Sequence, residues 1–496
     1  EDAIRSILTR HHGVRKPTFA DVKKYYAEKL HPDVIDFDDQ SVYENVFHKG
    51  KWAGVFQFTE TGAQNFCVNA QPRSIIDISA ITSIFRPGPL SAKVDRNYVA
   101  AKSNPDDVNY ANETIREITE ETYGFLIFQE QIALLAHKLG KDISLDEGNL
   151  LRKLLTKKGT GKGAEDKMKI FHKFIDGCVE KEMTRNEAEK LWETFEFFSG
   201  YGFNKSHAVS YSILSYQCAW LLNYYPVEWV AAFLDKEPES RKERAINTAK
   251  KMGFEIRPLD INLSTKNWTI GDDGALIQPF SSVKGLGDAA IDQILNFRPF
   301  ETIEDFLFHD RIVYSKLNKK ALDVLVRSEA LNSIMDDRFT GLRHFWSAVA
   351  VDRAKTKKKF NENIEKYAPE GHFTAQETIE YQVSLTGMFP IHLVMSDEVV
   401  KQLEDNMIPP LGDFMPEVPV AWFIPREIIP RKTKNGKVYW IVKVIDSTST
   451  PNAIKCWGVR DNDHVELNKP YMAKLDFHDQ WGFSTRSLRH NFKLLA

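Results

Sequence analysis

The residues best suited to chemistry lie in one segment, GYGFNKSH, which runs from Gly200 to His207. Its glycines and small polar residues predict a turn, and the apolar residues from Ala208 to Trp220 predict a buried helix directly after it. The amino end of such a helix presents free backbone N–H groups and the positive end of the helix dipole, which favour a phosphate group. The side chains beside this end are Asn204, Lys205, Ser206 and His207. A turn before a core helix with incidental polar residues explains the segment equally well.

A second phosphate-seeking pattern precedes this segment. Ser144 and Glu147 have the spacing of a capping box, and the leucines that follow form an apolar stripe, so a helix is predicted. Basic residues fall off the stripe and continue toward a Gly-Lys loop: Arg152, Lys153, Lys157 and Lys158. Because Lys and Arg that neutralise phosphates release counterions, this face is predicted to contact a triphosphate or DNA. A solvated helix face is the alternative.

Two further polar residues lie at predicted helix ends. Pro87 and Pro89 predict that the preceding helix ends at Arg86, whose planar guanidinium would cap carbonyls or reach a phosphate. The segment YGFLIFQEQ predicts a strand that leads into a helix beginning near Gln129. A short strand is also predicted through GVFQF, which ends at Phe58, and residues 91–120 are predicted as a polar loop.

Four carboxylates lie close together in HPDVIDFDD: Asp33, Asp36, Asp38 and Asp39. Magnesium prefers one or two carboxylates together with substrate phosphates, so this cluster is a candidate metal site. Aspartate is also common in turns and at helix starts, and Asp38 or Asp39 would then cap a helix from Gln40 to Phe47. The structural interpretation is favoured, and no metal ligand is assigned.

The composition limits the class of protein. A chain of 496 residues with 42% hydrophobic residues predicts several folded domains, roughly three or four. With a net charge of -3, a nucleic-acid surface requires local segregation of basic residues. No apolar run approaches the ~18 residues that span a bilayer, and the first residues lack the layout of a signal peptide. The four scattered cysteines argue against a zinc site and suit a reducing compartment, so a soluble, cytoplasmic protein is expected.

The second half of the chain contains two candidate DNA-binding patterns. In the first, Lys284, Gly285 and Gly287 form a KGLG hairpin between predicted helices, where backbone amides can approach a phosphate. In the second, five or so short strands after residue 396 suit an OB barrel, whose basic and aromatic face binds single strands. The candidates there lie in or after the turn at Lys434: Lys434, Lys437, Tyr439 and Trp440. A helix-joining turn and a solvated structural barrel are the alternatives.

These motifs carry a family resemblance. GVFQFTETG, IFRPGPL, YGFLIFQEQI, LLRKLLTKK and GYGFNKSHAVSYS occur in the order and at the spacing of the fingers of bacterial C-family replicative DNA polymerases, the polymerase III alpha type. The chain resembles the carboxyl-terminal half of such a polymerase. The implied fold is multidomain and mostly α-helical, followed by a small all-β barrel. Fingers would span 1–236, a tandem helix-hairpin-helix duplex-binding region 237–395, and an OB-fold domain 396–496.

The resemblance implies a DNA-directed DNA polymerase component that binds incoming dNTP and primer-template DNA. Its nucleotide site would be lined by Arg152, Lys153, Asn204, Lys205, Ser206 and His207, and more loosely by Arg86 and Gln129. In this family Mg²⁺ is held by palm aspartates, which the printed sequence lacks. A separate palm polypeptide is therefore an expected partner, and the origin could be bacterial or phage.

Other interpretations stay open at this point. A non-enzymatic DNA-binding or regulatory protein derived from a polymerase is the main alternative, and a self-sufficient metal enzyme using Asp33 to Asp39 is the third. The family often carries a sliding-clamp peptide, but the best match here, QVSLTGMF from Gln382 to Phe389, is interpreted as a structural helix. Clamp binding is left open.

Overall fold

The chain folds into two compact units, Glu1–Trp229 and Val230–Ala496. The computed structural model describes residues 1–496 apart from 87–88, 91–92, 157–161, 200–201, 239–240, 388–389, 391–392, 416–417, 434, 447–451, 461, 479–481 and 496. Three predicted site residues, Lys157, Lys158 and Lys434, therefore lie outside the described residues. Among the described helices, none is both long and apolar enough to cross a membrane.

The first unit is helical. Its α-helices are α1 Asp2–His12, α2 Phe19–Lys29, α3 Gln40–Val42, α4 Thr61–Ala70, α5 Ile75–Ile84, α6 Val94–Ser103, α7 Glu113–Thr119, α8 Gln129–Leu139, α9 Leu145–Thr156, α10 Lys162–Glu180, α11 Arg185–Ser199 and α12 Lys205–Tyr224. A π-helix Tyr43–Phe47 extends α3, and 3-10 turns lie at Pro105–Asp107 and Glu120–Thr122. α13, Pro226–Lys236, follows α12.

Helix α12 is the central element of this unit, as its apolar sequence predicts. It packs against α5, which is itself largely buried, and Ser79 of α5 donates a hydrogen bond to Ser212 of α12 at 3.0 Å. Tyr216 is fully buried and donates to the carbonyl of Asp36 at 2.7 Å. One face of α12 nevertheless reaches solvent, because Tyr211 is 36% and Leu214 is 47% exposed.

The helices α8 to α11 form a second core within this unit. The predicted capping box is confirmed: the Ser144 N–H donates to Glu147 at 2.9 Å, and the Glu147 N–H donates to the Ser144 hydroxyl at 3.1 Å. The helices cross closely at glycines, since a Cβ on Gly148 would lie 2.5 Å from the carbonyl oxygen of Ala133. This core fixes α9, and with it Arg152, relative to the start of α8.

Several predicted elements of the first unit were wrong. Residues 54–58 form successive turns and no strand, with the Val55 and Phe58 N–H groups bonded three residues back. Residues 94–119 contain α6 and α7, although their polarity predicted a loop. The reason is tertiary packing, because Val94 and Tyr98 are buried and hold an otherwise polar helix against the rest of the unit.

The second unit begins with further helices and a small sheet. Its helices are α14 Lys242–Lys251, α15 Asp288–Phe297, α16 Ile303–Leu307, α17 Lys319–Arg327, α18 Leu342–Trp346, α19 Lys357–Tyr367, α20 Ala375–Thr386, α21 Asp397–Asp405 and α22 Leu488–Asn491. A π-helix spans Ser347–Val351, and 3-10 turns lie at Phe280–Ser282, Asn332–Ile334, Ala368–Glu370 and Leu411–Asp413. The short strands β1 Ile256–Arg257, β2 Thr269–Ile270 and β3 Leu276–Ile277 pair in the order β1-β3-β2.

The predicted KGLG hairpin is present, but its first arm differs from the prediction. A single 3-10 turn, Phe280–Ser282, precedes it where an α-helix was expected. Gly285 has φ of 91°, a left-handed conformation that favours glycine, and Gly287 is the N-cap of α15. A large apolar core that includes Phe280, Ile291 and Leu322 holds this turn against α15 and α17.

A sheet forms the end of the chain. Its strands are β4 Val420–Lys432, β5 Val438–Ile445, β6 Asn452–Trp457, β7 Tyr471–Lys474, β8 Asp476–His478, β9 Gly482–Arg486 and β10 Phe492–Leu494, in the order β10-β7-β4-β5-β6-β9-β8. All neighbours are antiparallel except β6 and β9. The predicted hairpin between β4 and β5 is confirmed, with Gly436 at φ of 77° in its turn. The predicted fold class, mostly helical followed by a small β domain, is therefore confirmed.

Candidate phosphate-binding site

The turn before α12 is held against the start of α8. The Phe203 N–H donates to the Ile127 carbonyl at 3.0 Å, and the Gln129 N–H donates to the Phe203 carbonyl at 2.9 Å. The Gln129 side chain donates to the Gly202 carbonyl at 3.0 Å. Gly202 packs closely here, since a Cβ would lie 3.0 Å from Gln129 Cγ. The amino end of α12 is thus rigidly placed, and Gln129 helps to place it.

One carboxylate, that of Glu130, lies directly at the start of α12. It accepts a hydrogen bond from the Lys205 backbone N–H at 2.9 Å and another from the Asn204 side-chain amide at 2.8 Å. Arg152 reaches the same group from α9, with its Nη1 3.6 Å from Glu130 Oε1. Backbone N–H, amide and guanidinium therefore converge on a single anion, as they would on a phosphate.

The expectation of free N–H groups at this helix start was wrong for two of them. Besides the Lys205 N–H that Glu130 accepts, the His207 N–H donates to the Asn204 side-chain oxygen at 2.9 Å. Asn204 is therefore the N-cap of α12, as the capping preference of asparagine favours. The donors point to one place, but the protein itself supplies their acceptors.

The Lys205 side chain is paired in the same way. Its Nζ lies 2.6 and 2.7 Å from the two carboxylate oxygens of Glu121, and 5.7 Å from the centre of the Phe128 ring. The Lys205 and Glu121 side chains are 32% and 34% exposed, so solvent and ligands can reach the pair. A pair this exposed contributes little to stability, about 0–1 kcal/mol.

The side-chain rings of the turn and of α12 lie in a row. The Arg86 guanidinium lies 4.5 Å from the centre of the Phe203 ring, and the centre of the His207 ring lies 5.4 Å from it. Tyr211 follows, 4.2 Å from His207, and then Phe56, 5.3 Å from Tyr211. This row presents exposed aromatic surface next to the anion-binding donors.

Arg86 fulfils the capping role that its position predicts, and its contact with a phosphate stays a prediction. Its Nε donates to the Ser83 carbonyl at 2.8 Å, which caps the end of α5, while its guanidinium faces Phe203. The helix ends at Ile84, two residues earlier than predicted. Burial lowers the pKa of Arg86 below its ordinary value, but a guanidinium stays charged in any case.

The structure therefore brings most of the predicted nucleotide-binding residues together. Around Glu130 and Phe203 lie Arg86, Gln129, Arg152, Asn204, Lys205 and His207. Lys153 and Ser206 are exposed next to Arg152 and Lys205. Sequence reasoning missed Glu121, Glu130 and Phe203 as parts of the site. Glu130 was visible only as the acidic residue beside Gln129, and nothing local connects it to a helix that starts 75 residues later.

The acidic cluster serves the local fold. Asp39 accepts from the Ser41 N–H at 3.0 Å as the N-cap of α3, and from the Tyr224 hydroxyl at 2.7 Å, which lowers its pKa. Asp36 accepts from the Asp38 N–H at 2.9 Å in a turn. The prediction that Asp38 or Asp39 caps a helix is thus confirmed at Asp39. In the part of the chain that the structure describes, no group of three or more His, Cys, Asp or Glu could hold a metal ion.

The candidate DNA-binding residues of the hairpin are exposed. Lys284, Gly285 and Gly287 all reach solvent at the start of α15. A Cβ on Gly285 would lie 3.6 Å from Cε of Lys320, which is exposed at the start of α17. Two helix starts and two lysines therefore lie side by side on this surface.

The aromatic candidates of the sheet lie on opposite faces. Trp440 packs against the apolar core of the β domain, whereas Tyr439 lies on the other face and stacks on Trp457, with ring centres 4.5 Å apart and an angle of 28°. Arg431 pairs with Tyr439 across the sheet and is exposed, and Lys437 is exposed in the turn. Sequence reasoning missed Trp457, because the pairing of β5 with β6 brings it beside Tyr439.

The clamp-like segment is helical where it is described. Gln382 to Thr386 form the end of α20, which has Gly387 as its C-cap, and the Gln382 side chain donates to Glu329 at 2.9 Å. The interpretation of this part as a structural helix is confirmed. Residues 388–389 lie outside the described residues.

Comparison with known proteins matches two parts of the chain. Residues 14–182 match the bacterial DNA polymerase III alpha subunit finger domain, and residues 253–341 match a helix-hairpin-helix motif. The DNA polymerase III subunit alpha of Thermus aquaticus is 34% identical over 340 residues, which cover 65% of this chain and 27% of the relative. That of Borreliella burgdorferi is 32% identical over 348 residues, covering 68% and 29%. That of Aquifex aeolicus is 28% identical over 461 residues, covering 90% and 38%.

Proposed function

The chain belongs to the family of bacterial DNA polymerase III alpha subunits, and we propose that it binds the incoming dNTP and primer-template DNA during replication. The aligned part spans 27% to 38% of the three relatives described above, so the activity of the whole enzyme is part of the proposal. The convergence of Arg152, Asn204 and the Lys205 N–H on one carboxylate carries the proposal, because it is an anion-binding arrangement. Its acceptor, Glu130, lies with Arg152 in the residues 14–182 that match the finger domain.

In this proposal the first unit binds the triphosphate of the nucleotide. The start of α12 and Arg152 bind one phosphate group where Glu130 now lies, and Lys205 binds a second where it now contacts Glu121. Charge-assisted hydrogen bonds of this kind are about twice as strong as neutral ones and fix the orientation of the phosphates. Positioning of this sort lowers the barrier to transfer without any covalent step by these residues.

The second unit would hold DNA. Lys284 and the backbone at Gly285 and Gly287 would bind the phosphates of duplex DNA, as helix-hairpin-helix motifs do. In the β domain, which we propose to be an OB fold, Tyr439 and Trp457 offer a stacking surface for single-stranded bases. We propose the domain division 1–236, 237–395 and 396–496 for these functions.

In this proposal the residues that bind the metal ions lie outside residues 1–496. The described residues hold no suitable group of ligands, so no step is assigned to a metal here. The chemistry that bound Mg²⁺ would supply is Lewis-acid activation and neutralisation of phosphate charge. We propose that palm carboxylates outside residues 1–496 hold these ions, on the same or a partner polypeptide. The proposed location is the cytoplasm, where bacterial DNA is copied.

The test is equilibrium dialysis of the 496-residue chain with labelled dATP. We expect the Lys205→Ala, His207→Ala double variant to bind dATP about tenfold to a hundredfold more weakly, since a hydrogen bond to a charged group contributes about 1.5–3 kcal/mol. Lys138→Ala is the matched control, because Lys138 is a surface lysine of the same unit that pairs with Glu117 at 3.0 Å. Unchanged binding in the double variant would refute the proposed nucleotide site.

Two outcomes separate the alternatives. A chain that binds DNA but no dNTP would be the non-enzymatic DNA-binding protein. Primer extension is expected only when a palm-containing partner, primer-template and magnesium are added. Extension by residues 1–496 alone would contradict the placement of the metal ligands outside them.

A further inference from the structure

Glu130 occupies the place where the proposed function puts a phosphate group. Its carboxylate accepts hydrogen bonds from the Lys205 N–H and the Asn204 side-chain amide, and it lies 3.6 Å from the Arg152 guanidinium. These are the donors that the triphosphate needs. The Glu130 side chain is 30% exposed, so it is free to leave toward solvent.

We propose that Glu130 is an internal anion that accepts these hydrogen bonds until the nucleotide binds, and that it then exchanges with a phosphate of the nucleotide. This inference rests on the proposed function and assigns to Glu130 a role as the competitor of anionic ligands at this site. The exchange is required because two anions repel each other and cannot accept the same hydrogen bonds. Every anionic ligand must therefore compete with this carboxylate.

Glu121 acts in the same way on the second cation. It holds Lys205 Nζ with both carboxylate oxygens, at 2.6 and 2.7 Å. The two carboxylates and the two cations, Arg152 and Lys205, together carry no net charge. A polyphosphate can replace both carboxylates at once, whereas inorganic phosphate can replace only one. Only a polyphosphate can therefore contact both cations at once.

The test compares Glu130→Gln with the unchanged chain by equilibrium dialysis against dATP and inorganic phosphate. Glutamine has the same shape and keeps a hydrogen-bond acceptor, but it carries no charge. We expect dATP and inorganic phosphate both to bind about tenfold more tightly to the variant, because neither then has to displace the Glu130 charge. A merely structural Glu130 would give the opposite result, weaker binding of dATP, because its loss would loosen the start of α12.

Glu117→Gln is the matched control, since Glu117 is an exposed carboxylate of the same unit paired with Lys138. It should change neither affinity. If the unchanged chain binds dATP and Glu130→Gln binds it equally or more weakly, the role of Glu130 is refuted while the nucleotide site stands. If neither chain binds dATP, both proposals fail. If Glu130→Gln does not fold, Glu121→Gln is tested in its place. We then expect the same tighter binding of dATP, through Lys205.

Discussion

A buried ion pair, Asp77 with Lys102, tests how the walls of the proposed nucleotide site are held in place. Asp77 Oδ2 lies 2.8 Å from Lys102 Nζ, and the side chains are only 5% and 8% exposed. Lys102 also donates to the Tyr123 hydroxyl at 3.0 Å. The pair thus joins α5, which leads to Arg86, with α6 and with the turn that follows Glu121.

We predict that Lys102→Met destabilises this region by about 3 kcal/mol. Removing one partner of a buried pair leaves an uncompensated charge, which costs about 3–5 kcal/mol. The lower end applies because the Asp77 carboxylate keeps its hydrogen bond from the Arg73 N–H at 2.8 Å and those from the hydroxyls of Tyr98 and Tyr123 at 3.3 Å. Adding Asp77→Asn removes the charge and keeps an acceptor, so the double variant should recover at least about 1 kcal/mol.

The assay is hydrogen–deuterium exchange of residues 75–103 across a urea series, read by mass spectrometry. It reports the local free energy of opening, which suits a chain of two units for which two-state unfolding cannot be assumed. Lys138→Met is the control, because the Lys138–Glu117 pair is 46% and 55% exposed and should contribute less than about 1 kcal/mol. The reasoning is refuted if Lys102→Met costs no more than this control, or if the double variant is less stable than the single one.

Three further predictions follow from other parts of the chain. Lys173 and the Ser144 backbone lower the pKa of Glu147 below its ordinary value of 4.5, so its ionised form stabilises the fold above that pH and the benefit is lost as pH falls through the lowered pKa. Glu147→Gln should therefore lower the thermal midpoint slightly at pH 7, with the difference vanishing in acid; a difference that persists there would contradict the ionic cause. For duplex DNA, Lys284→Ala with Lys320→Ala should reduce the slope of log affinity against log salt by about 1.8, measured by fluorescence anisotropy, whereas Lys358→Ala on the exposed side of α19 should leave it unchanged; an unchanged slope in the double variant would exclude this surface as a phosphate contact. For single-stranded DNA, Trp457→Ala should weaken binding by about 1–3 kcal/mol, and Trp457→Phe should retain most of it; equal losses in both variants would speak against stacking.

The local elements of the site could be predicted from the sequence. The capping box at Ser144, the helix after Asn204, the cap at Asp39 and the hairpin at Gly436 all depend on residues within a few positions of one another. Local hydrogen bonds and side-chain periodicity depend on residues this close together, so residue type and spacing are enough to predict these elements. The order of the motifs along the chain was likewise sufficient to predict the family and the general fold class.

Only the tertiary structure decided what the phosphate-seeking groups contact. Glu130 meets Asn204 and Lys205 across 74 and 75 positions, and Glu121 meets Lys205 across 84. The same holds for Tyr439 and Trp457, which the strand pairing brings together. Any exposed carboxylate is an acceptable partner for a lysine or arginine, so the sequence cannot rank the candidates. The packing of α8, α9 and α12 selects Glu130, because it alone sets which charges end within hydrogen-bond distance of the helix start.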